Sequence, residues 1–127
     1  MLYSLLFLFS YSNSNLYVTI VLRIKEYIDL YGNSPFSKWF NDLDTQAALK
    51  VNTYITRLEG GNISQVKALG GGIYECRIDC GPGYRVYLGK DGDTLIILLG
   101  GGTKKRQRND IDRAKICWQD YKKRKKY

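Results

Sequence analysis

Arg77 and Arg85 are the residues of this chain whose type and spacing point most directly to chemistry. Residues 73–79, IYECRID, alternate Tyr74, Cys76 and Ile78 with Glu75, Arg77 and Asp79, and Cys80-Gly81-Pro82-Gly83 is a turn by composition. The returning residues 84–88 place Tyr84, Val86 and Leu88 on one face and Arg85 and Tyr87 on the other. Matching the apolar faces sets Ile78 opposite Tyr84, Cys76 opposite Val86 and Tyr74 opposite Leu88, because a one-residue slip would mix the faces. Arg77 then stands opposite Arg85, and Glu75 opposite Tyr87. Like charges directly opposed on a sheet are unfavourable. The pair is therefore expected to hold an anion such as phosphate, on the face away from the core.

More basic residues converge on the same region. Lys67 lies on the preceding predicted strand, and Thr103-Lys104-Lys105-Arg106-Gln107-Arg108 follows Gly100-Gly101-Gly102 at the entrance to a helix. Backbone N–H groups at a helix start favour phosphate, and glycine lets a ligand come close. The turn is not a P-loop, since the GxxxxGK[ST] spacing is missing. Guanidinium groups suit phosphodiester chemistry because they bind phosphate oxygens in bidentate fashion. RNA cleavage needs an aligned 2′-hydroxyl, charge neutralisation and proton transfer. Arg77, Arg85 and Lys104 fit the charge role; Lys67, Tyr87, Lys105, Arg106 and Arg108 fit RNA contact. The same residues also fit a basic groove that binds and catalyses nothing.

The charge distribution supports a polyanionic partner. Of the net charge of +8, residues 1–22 contribute none and residues 23–60 cancel, with five basic and five acidic groups. Residues 61–127 hold fifteen basic and seven acidic groups, so the whole excess lies there. Histidine is absent, which removes the commonest acid/base group and metal ligand. Chemistry without a metal or cofactor, through the 2′-hydroxyl to a cyclic phosphate, is the route these residues suit. Cys76, Cys80 and Cys117 lack paired ligand spacing and read as reduced thiols.

These groups need a frame. With 127 residues, the chain reads as one domain of globular composition. Residues 17–28 form a predicted strand, rich in β-branched and aromatic residues. Ser34-Pro35 starts a short helix bearing Phe36, Trp39 and Phe40. Asp44 opens a second helix, with Ala48, Val51, Ile55 and Leu58 at helical spacing, and Gly60-Gly61 stops it. Further strands are predicted over 63–69, 73–79, 84–88 and 94–99, the last apolar on both faces and ended by the three glycines. A final helix is expected from near Asn109, with Ile111, Ala114, Trp118 and Tyr121 facing the core and a basic end, 122–126, that frays. The fold class is α+β: two N-terminal helices and a C-terminal helix on a twisted, mainly antiparallel sheet. Residues 2–9 are too short an apolar run to span a bilayer and make a poor signal peptide. Residues 1–20 are expected to be an extension outside a domain at 21–127.

The segments SPFSKWFNDLD, VKALGGGIYECRID, GPGYRVYLGKDGDTLIILLGGGTKKRQRNDI and AKICWQDYKKRKK together resemble the RelE/ParE toxin superfamily, and more closely its HigB-like addiction module killer branch. The resemblance runs over about residues 21–126 in segment order, turn residues and basic positions. It implies a RelE-like fold and a type II toxin acting as a ribosome-dependent mRNA endoribonuclease in the cytoplasm. The partners it implies are the ribosome, mRNA and an antitoxin of helix-turn-helix type, with no membrane. Arg77 matches a basic strand position used for activity, Arg85 the arginine of the Gly-Tyr-Arg element, and Lys104 and Lys105 the basic position after the last strand. Lys67 carries over more weakly. Where some members use a Tyr or His near the C-terminus, the nearest counterparts here are Asp110 and Tyr121, which leaves the proton-transfer group open. The alternatives are a ParE-like gyrase poison and a non-catalytic module that binds nucleic acid or antitoxin.

Overall fold

The computed structural model describes the backbone of residues 2–3, 6–12 and 15–125 and the side chains of residues 22–125. The order is β1 (Leu2–Tyr3), β2 (Leu6–Ser12), β3 (Asn15–Val21), β4 (Arg23–Glu26), α1 (Pro35–Asn41), α2 (Thr45–Glu59), β5 (Val66–Gly70), β6 (Ile73–Ile78), β7 (Tyr84–Asp91), β8 (Leu95–Thr103) and α3 (Gln107–Lys125). A 3-10 turn, Lys104–Arg106, joins β8 to α3. The class is α+β, as the sequence pattern predicts. A six-stranded sheet runs β1-β4-β8-β7-β6-β5, and β2 and β3 pair separately. All neighbours in the large sheet are antiparallel except β4 and β8, which are parallel. Of the expected extension at 1–20, β1 pairs with β4, and Met1, Ser4, Leu5, Asn13 and Ser14 lie outside the described residues.

Local chemistry explains the helix starts. Ser34 caps α1 by accepting from the Ser37 amide at 3.0 Å, and Pro35 follows at the first helical position. Asp44 caps α2 by accepting from the Ala47 amide at 2.8 Å. Glu26 on β4 then ties α1 to the sheet, accepting from Ser34 Oγ at 2.5 Å and also from Ser37 Oγ.

The sheet is covered on both sides. One face buries Ile24, Cys76, Ile78, Val86, Leu88 and Leu98 with Phe36, Val51, Ile55 and Leu58 of the first two helices. Phe36 is fully buried, worth roughly 1.5–3 kcal/mol on its own. The other face buries Tyr27, Ile73, Tyr87, Ile97 and Leu99 beneath Ala114 and Trp118 of α3. Trp118 Nε1 donates to Gly71 O at 3.0 Å, and the ring lies flat enough on the sheet that a Cβ on Gly89 would fall 2.9 Å from its Cδ2.

Several boundaries differ from the sequence reading; β5 begins at Val66 and not at 63, and β7 runs on to Asp91. The strand expected over 17–28 is two strands, since Leu22 interrupts the ladder with its amide donated to Glu59 O at 2.8 Å. Gly100, Gly101 and Gly102 do not end β8; they continue it opposite Tyr87, Val86 and Arg85. The last helix begins two residues earlier than Asn109, at Gln107. Its basic end is helical through Lys125, with Lys126 outside the described residues. Arg124 bonds Asp120 Oδ2 at 2.9 Å and Ile28 O at 2.5 Å, and Lys125 pairs with Asp91, which together hold that end on the sheet.

A paired-arginine candidate site under the start of the last helix

The register read from the apolar alternation is the one observed. Arg77 is paired with Arg85, Glu75 with Tyr87, Cys76 with Val86, Tyr74 with Leu88 and Ile78 with Tyr84. The ladder extends sideways in two rows on the α3 face. Lys67, Glu75, Tyr87 and Gly100 form one row. Arg77, Arg85 and Gly102 form the next. The first turn of α3 lies over these rows, with Gln107 bonded to Glu75 and Asp110 against Gly102.

The face was expected to point away from the core, and this needs correction. Glu75 and Tyr87 are both 0% exposed and Arg85 is 7% exposed. The cause is α3, whose apolar stripe needs a sheet face to cover and takes this one. Burial at Tyr87 removes it from the RNA-contacting set, because no ligand can touch a sealed ring. Its hydroxyl has no hydrogen-bond partner among the described residues. Burial first, and then the nearby Glu75 and Asp110 charges, push the Tyr87 phenol well above its usual range. It therefore makes a poor base.

The anion expected between the arginines is already there, and it belongs to the protein. Glu75 Oε1 is 3.4 Å from Arg77 Nε and 3.4 Å from Arg85 Nε. The first contact is a hydrogen bond, while the Arg85 Nε lies at ion-pair range without hydrogen-bond alignment. Gln107 Nε2 donates to the other carboxylate oxygen at 2.6 Å. Arg85 Nη1 also donates to Gly83 O at 3.0 Å, which fixes its plane against the β6–β7 turn. The two guanidinium groups differ in access. The Arg77 side chain is 55% exposed and that of Arg85 only 9%, so Arg77 reaches outward from an anchored base.

Lys104, Lys105 and Arg106 are exposed on the 3-10 turn, and Arg108 is exposed as the second residue of α3. Lys104 is fixed by its backbone, the amide donating to Gly83 O at 3.1 Å beside the Arg85 anchor. Lys67 is exposed and lies across from Glu75 on the same row as the arginine pair's neighbour. The structure thus brings Arg77, Arg85, Lys67 and Lys104 to one end of the sheet, and the remaining basic side chains line the helix entrance.

Asp110, which the resemblance offers with Tyr121 only as a counterpart of the family's C-terminal group, lies at the site itself. Its Oδ2 is buried without a hydrogen-bond partner among the described residues. A Cβ on Gly102 would fall 2.7 Å from its Cγ, so the carboxylate occupies the space that a side chain would need. Burial raises its pKa, against the opposing pull of Arg106 and Arg113. The signal available in the sequence was the spacing between a glycine at the strand end and an acid in the next helical turn.

Among the described residues no three of His, Cys, Asp and Glu come together as metal ligands. No helix there is long and apolar enough to cross a membrane. The fold and site define a small basic α+β protein with two arginines gathered on one buried carboxylate. A segment of 86 residues, 67% of the chain, is 44% identical to an "Uncharacterized protein" of Haemophilus influenzae and spans 87% of it. The chain belongs to the family of that protein. No family model matches the chain.

Proposed function

We propose that the protein is the toxin of a type II toxin–antitoxin pair, a cytoplasmic, RelE/HigB-like endoribonuclease that cuts messenger RNA on the ribosome. The observation that carries this reading is the Arg77–Arg85 pair held on Glu75, with the Lys104–Arg106 turn beside it. Two guanidinium groups gathered on one carboxylate suit the spread charge of a phosphodiester transition state. The 2′-oxygen attacks the adjacent phosphorus, the bond to the 5′-oxygen breaks, and the products are a cyclic phosphate and a 5′-hydroxyl. Arg77 and Arg85 neutralise the phosphorane, and Lys104 carries further positive charge to its edge. The 2′-hydroxyl proton passes to solvent, and the leaving 5′-oxygen takes its proton from Asp110, which burial keeps closer to its neutral form. The +8 chain charge suits a substrate embedded in ribosomal RNA, and an acidic antitoxin segment would be its natural cover.

A second reading is favoured by Glu75, which already offsets the arginine charge and would let the surface bind nucleic acid without cutting it. A ribosome-programmed primer-extension assay separates the readings. Discrete cuts within codons, lost in Arg77→Ala, support the nuclease. Intact mRNA with inhibited gyrase supercoiling would point instead to a ParE-like poison, and intact mRNA with unaffected gyrase to a binding module.

A further inference from the structure

β4 pairs with β8 only over residues 95–98 and then leaves the sheet, its chain continuing by the Tyr27 amide donated to Leu98 O at 2.9 Å. From Gly100 onward, the flank of β8 turned away from β7 has no strand partner among the described residues. A groove of about 420 Å³ opens there, between α1 and the start of α3, with Gly100, Gly101, Gly102 and Thr103 as its floor.

Three features of the groove point to one kind of ligand. Its floor is backbone, because the three glycines supply no side chains. A Cβ on Gly100 would meet nothing within 4 Å, and only Trp39 and Asp110 close over the next two positions. Its rim carries cations from three separate elements, exposed Lys38 on α1, Arg106 on the 3-10 turn and Arg113 on α3, which outnumber the one exposed acid there, Asp42. None of the three is in an ion pair among the described residues. Its walls also include the half-buried Trp39 ring and Asp110, whose Oδ2 is buried and unpartnered. A flat ring, a strand flank without a strand partner and exposed cations match a nucleotide: base over Gly100 beside Trp39, phosphate on the rim.

We propose that this groove is a subsite for the nucleotide flanking the one at the arginine pair. It rests on the nuclease reading for its place in the reaction, and Gly102 joins the two sites, standing opposite Arg85 in the sheet. Single-stranded RNA would run from the exposed Arg77 past the Lys104–Arg106 turn into the groove, since Asp110 fills the space over Gly102.

The test uses the full chain and a single-stranded RNA hexamer, with binding read by anisotropy, folding by thermal unfolding and cleavage by primer extension on programmed ribosomes. Gly100→Leu fills the floor from a position with open space and should weaken hexamer binding about tenfold with an unchanged midpoint of unfolding, the loss of roughly one stacked base. Lys38→Ala with Arg113→Ala, both on exposed positions, should do the same and lower the salt dependence of binding by about 1.4 in log–log slope, two phosphate contacts' worth. If either folded variant binds the hexamer as tightly as the unaltered chain, the subsite is wrong, even where cleavage persists. If both weaken binding while the unaltered chain cuts no mRNA, the groove stands and the nuclease reading falls. If the unaltered chain does not bind the hexamer at all, the subsite is overturned.

Discussion

Arg85 holds its guanidinium 3.4 Å from the Glu75 carboxylate, and Glu75 has no exposure to solvent at all. A buried carboxylate with two arginines within reach is an arrangement in which each charge depends on the others. Breaking such a pair from one side leaves an uncompensated charge in the interior. The same carboxylate makes the arginine pair tolerable in the folded protein without a ligand. An incoming phosphate therefore competes with Glu75 for the guanidinium groups and meets a preformed geometry when it arrives.

Arg85→Ala and Arg77→Ala should then behave differently. Arg85→Ala removes the buried cation beside Glu75, leaving it only the half-exposed Arg77 and the neutral Gln107, and should cost about 3–5 kcal/mol of stability. Arg77 is more than half exposed, and its replacement should change stability by about 0–1 kcal/mol. Its effect on cleavage, on the order of a hundredfold, should appear without unfolding. Urea denaturation beside primer extension on both variants checks this. An Arg77→Ala protein that is as destabilised as Arg85→Ala would show that the two are one structural unit.

The three glycines of β8 should rank by what each would meet. Gly102→Ala drives a methyl into the Asp110 carboxylate and Gly101→Ala drives one into the Trp39 ring, each expected to cost about 1–3 kcal/mol. Gly100→Ala meets open space at an ordinary φ and should be neutral or stabilise by a few tenths up to about 1 kcal/mol. Thermal unfolding of the three single variants orders them, and equal effects would contradict the packing described.

These glycines also show where sequence reasoning stopped. Alternation of apolar and polar residues was enough to pair Arg77 with Arg85 and Cys76 with Val86, since a slipped register would bury charge. Alternation cannot say whether the polar face is covered. The two-sided apolar run ending at Leu99 implied cover on both faces, and the stripe of Ala114 and Trp118 had to dock somewhere, so the burial of Glu75 and Tyr87 was implicit but unread. Three glycines in a row have the composition of a turn, because a strand without side chains shows no alternation. Here they form a strand whose side-chain space is filled by Trp39 and Asp110, from residues 62 positions before Gly101 and eight after Gly102.

Alkaline pH should loosen the end of α3 farthest from the site. Tyr27 donates its hydroxyl to Asp120 at 2.6 Å, and burial, followed by that bond, pushes its phenol up to about 12. A group whose folded pKa exceeds its unfolded value contributes stability below the unfolded pKa, near 10 for tyrosine, and loses it as pH rises through the folded one. Stability should therefore fall between about pH 10 and pH 12. Tyr27→Phe should be less stable than the unaltered chain at pH 8 and flatter across that window. Chemical denaturation at stepped pH measures both slopes, and parallel curves would remove Tyr27 as the cause.

Asp110 offers the sharpest separation of stability from activity. Its folded pKa is raised, chiefly by burial, so the folded chain binds its proton more tightly than the unfolded chain does. The favourable contribution is present below the unfolded pKa, near 4, and is lost as pH rises through the folded value, so the buried Asp110 carboxyl costs stability at neutral pH. Asp110→Asn removes that charge and keeps the shape over Gly102. It should raise stability at pH 7, with the gain shrinking to nothing below about pH 4. Cleavage should move the other way, falling by about a hundredfold or more, because asparagine cannot give a proton to the leaving oxygen. A variant that is both more stable at pH 7 and much slower fits an acid kept in an unfavourable place for its chemistry. A variant that is more stable and equally fast would show that Asp110 only fills the space above Gly102, and proton donation would then fall to a solvent-exposed group such as Lys104.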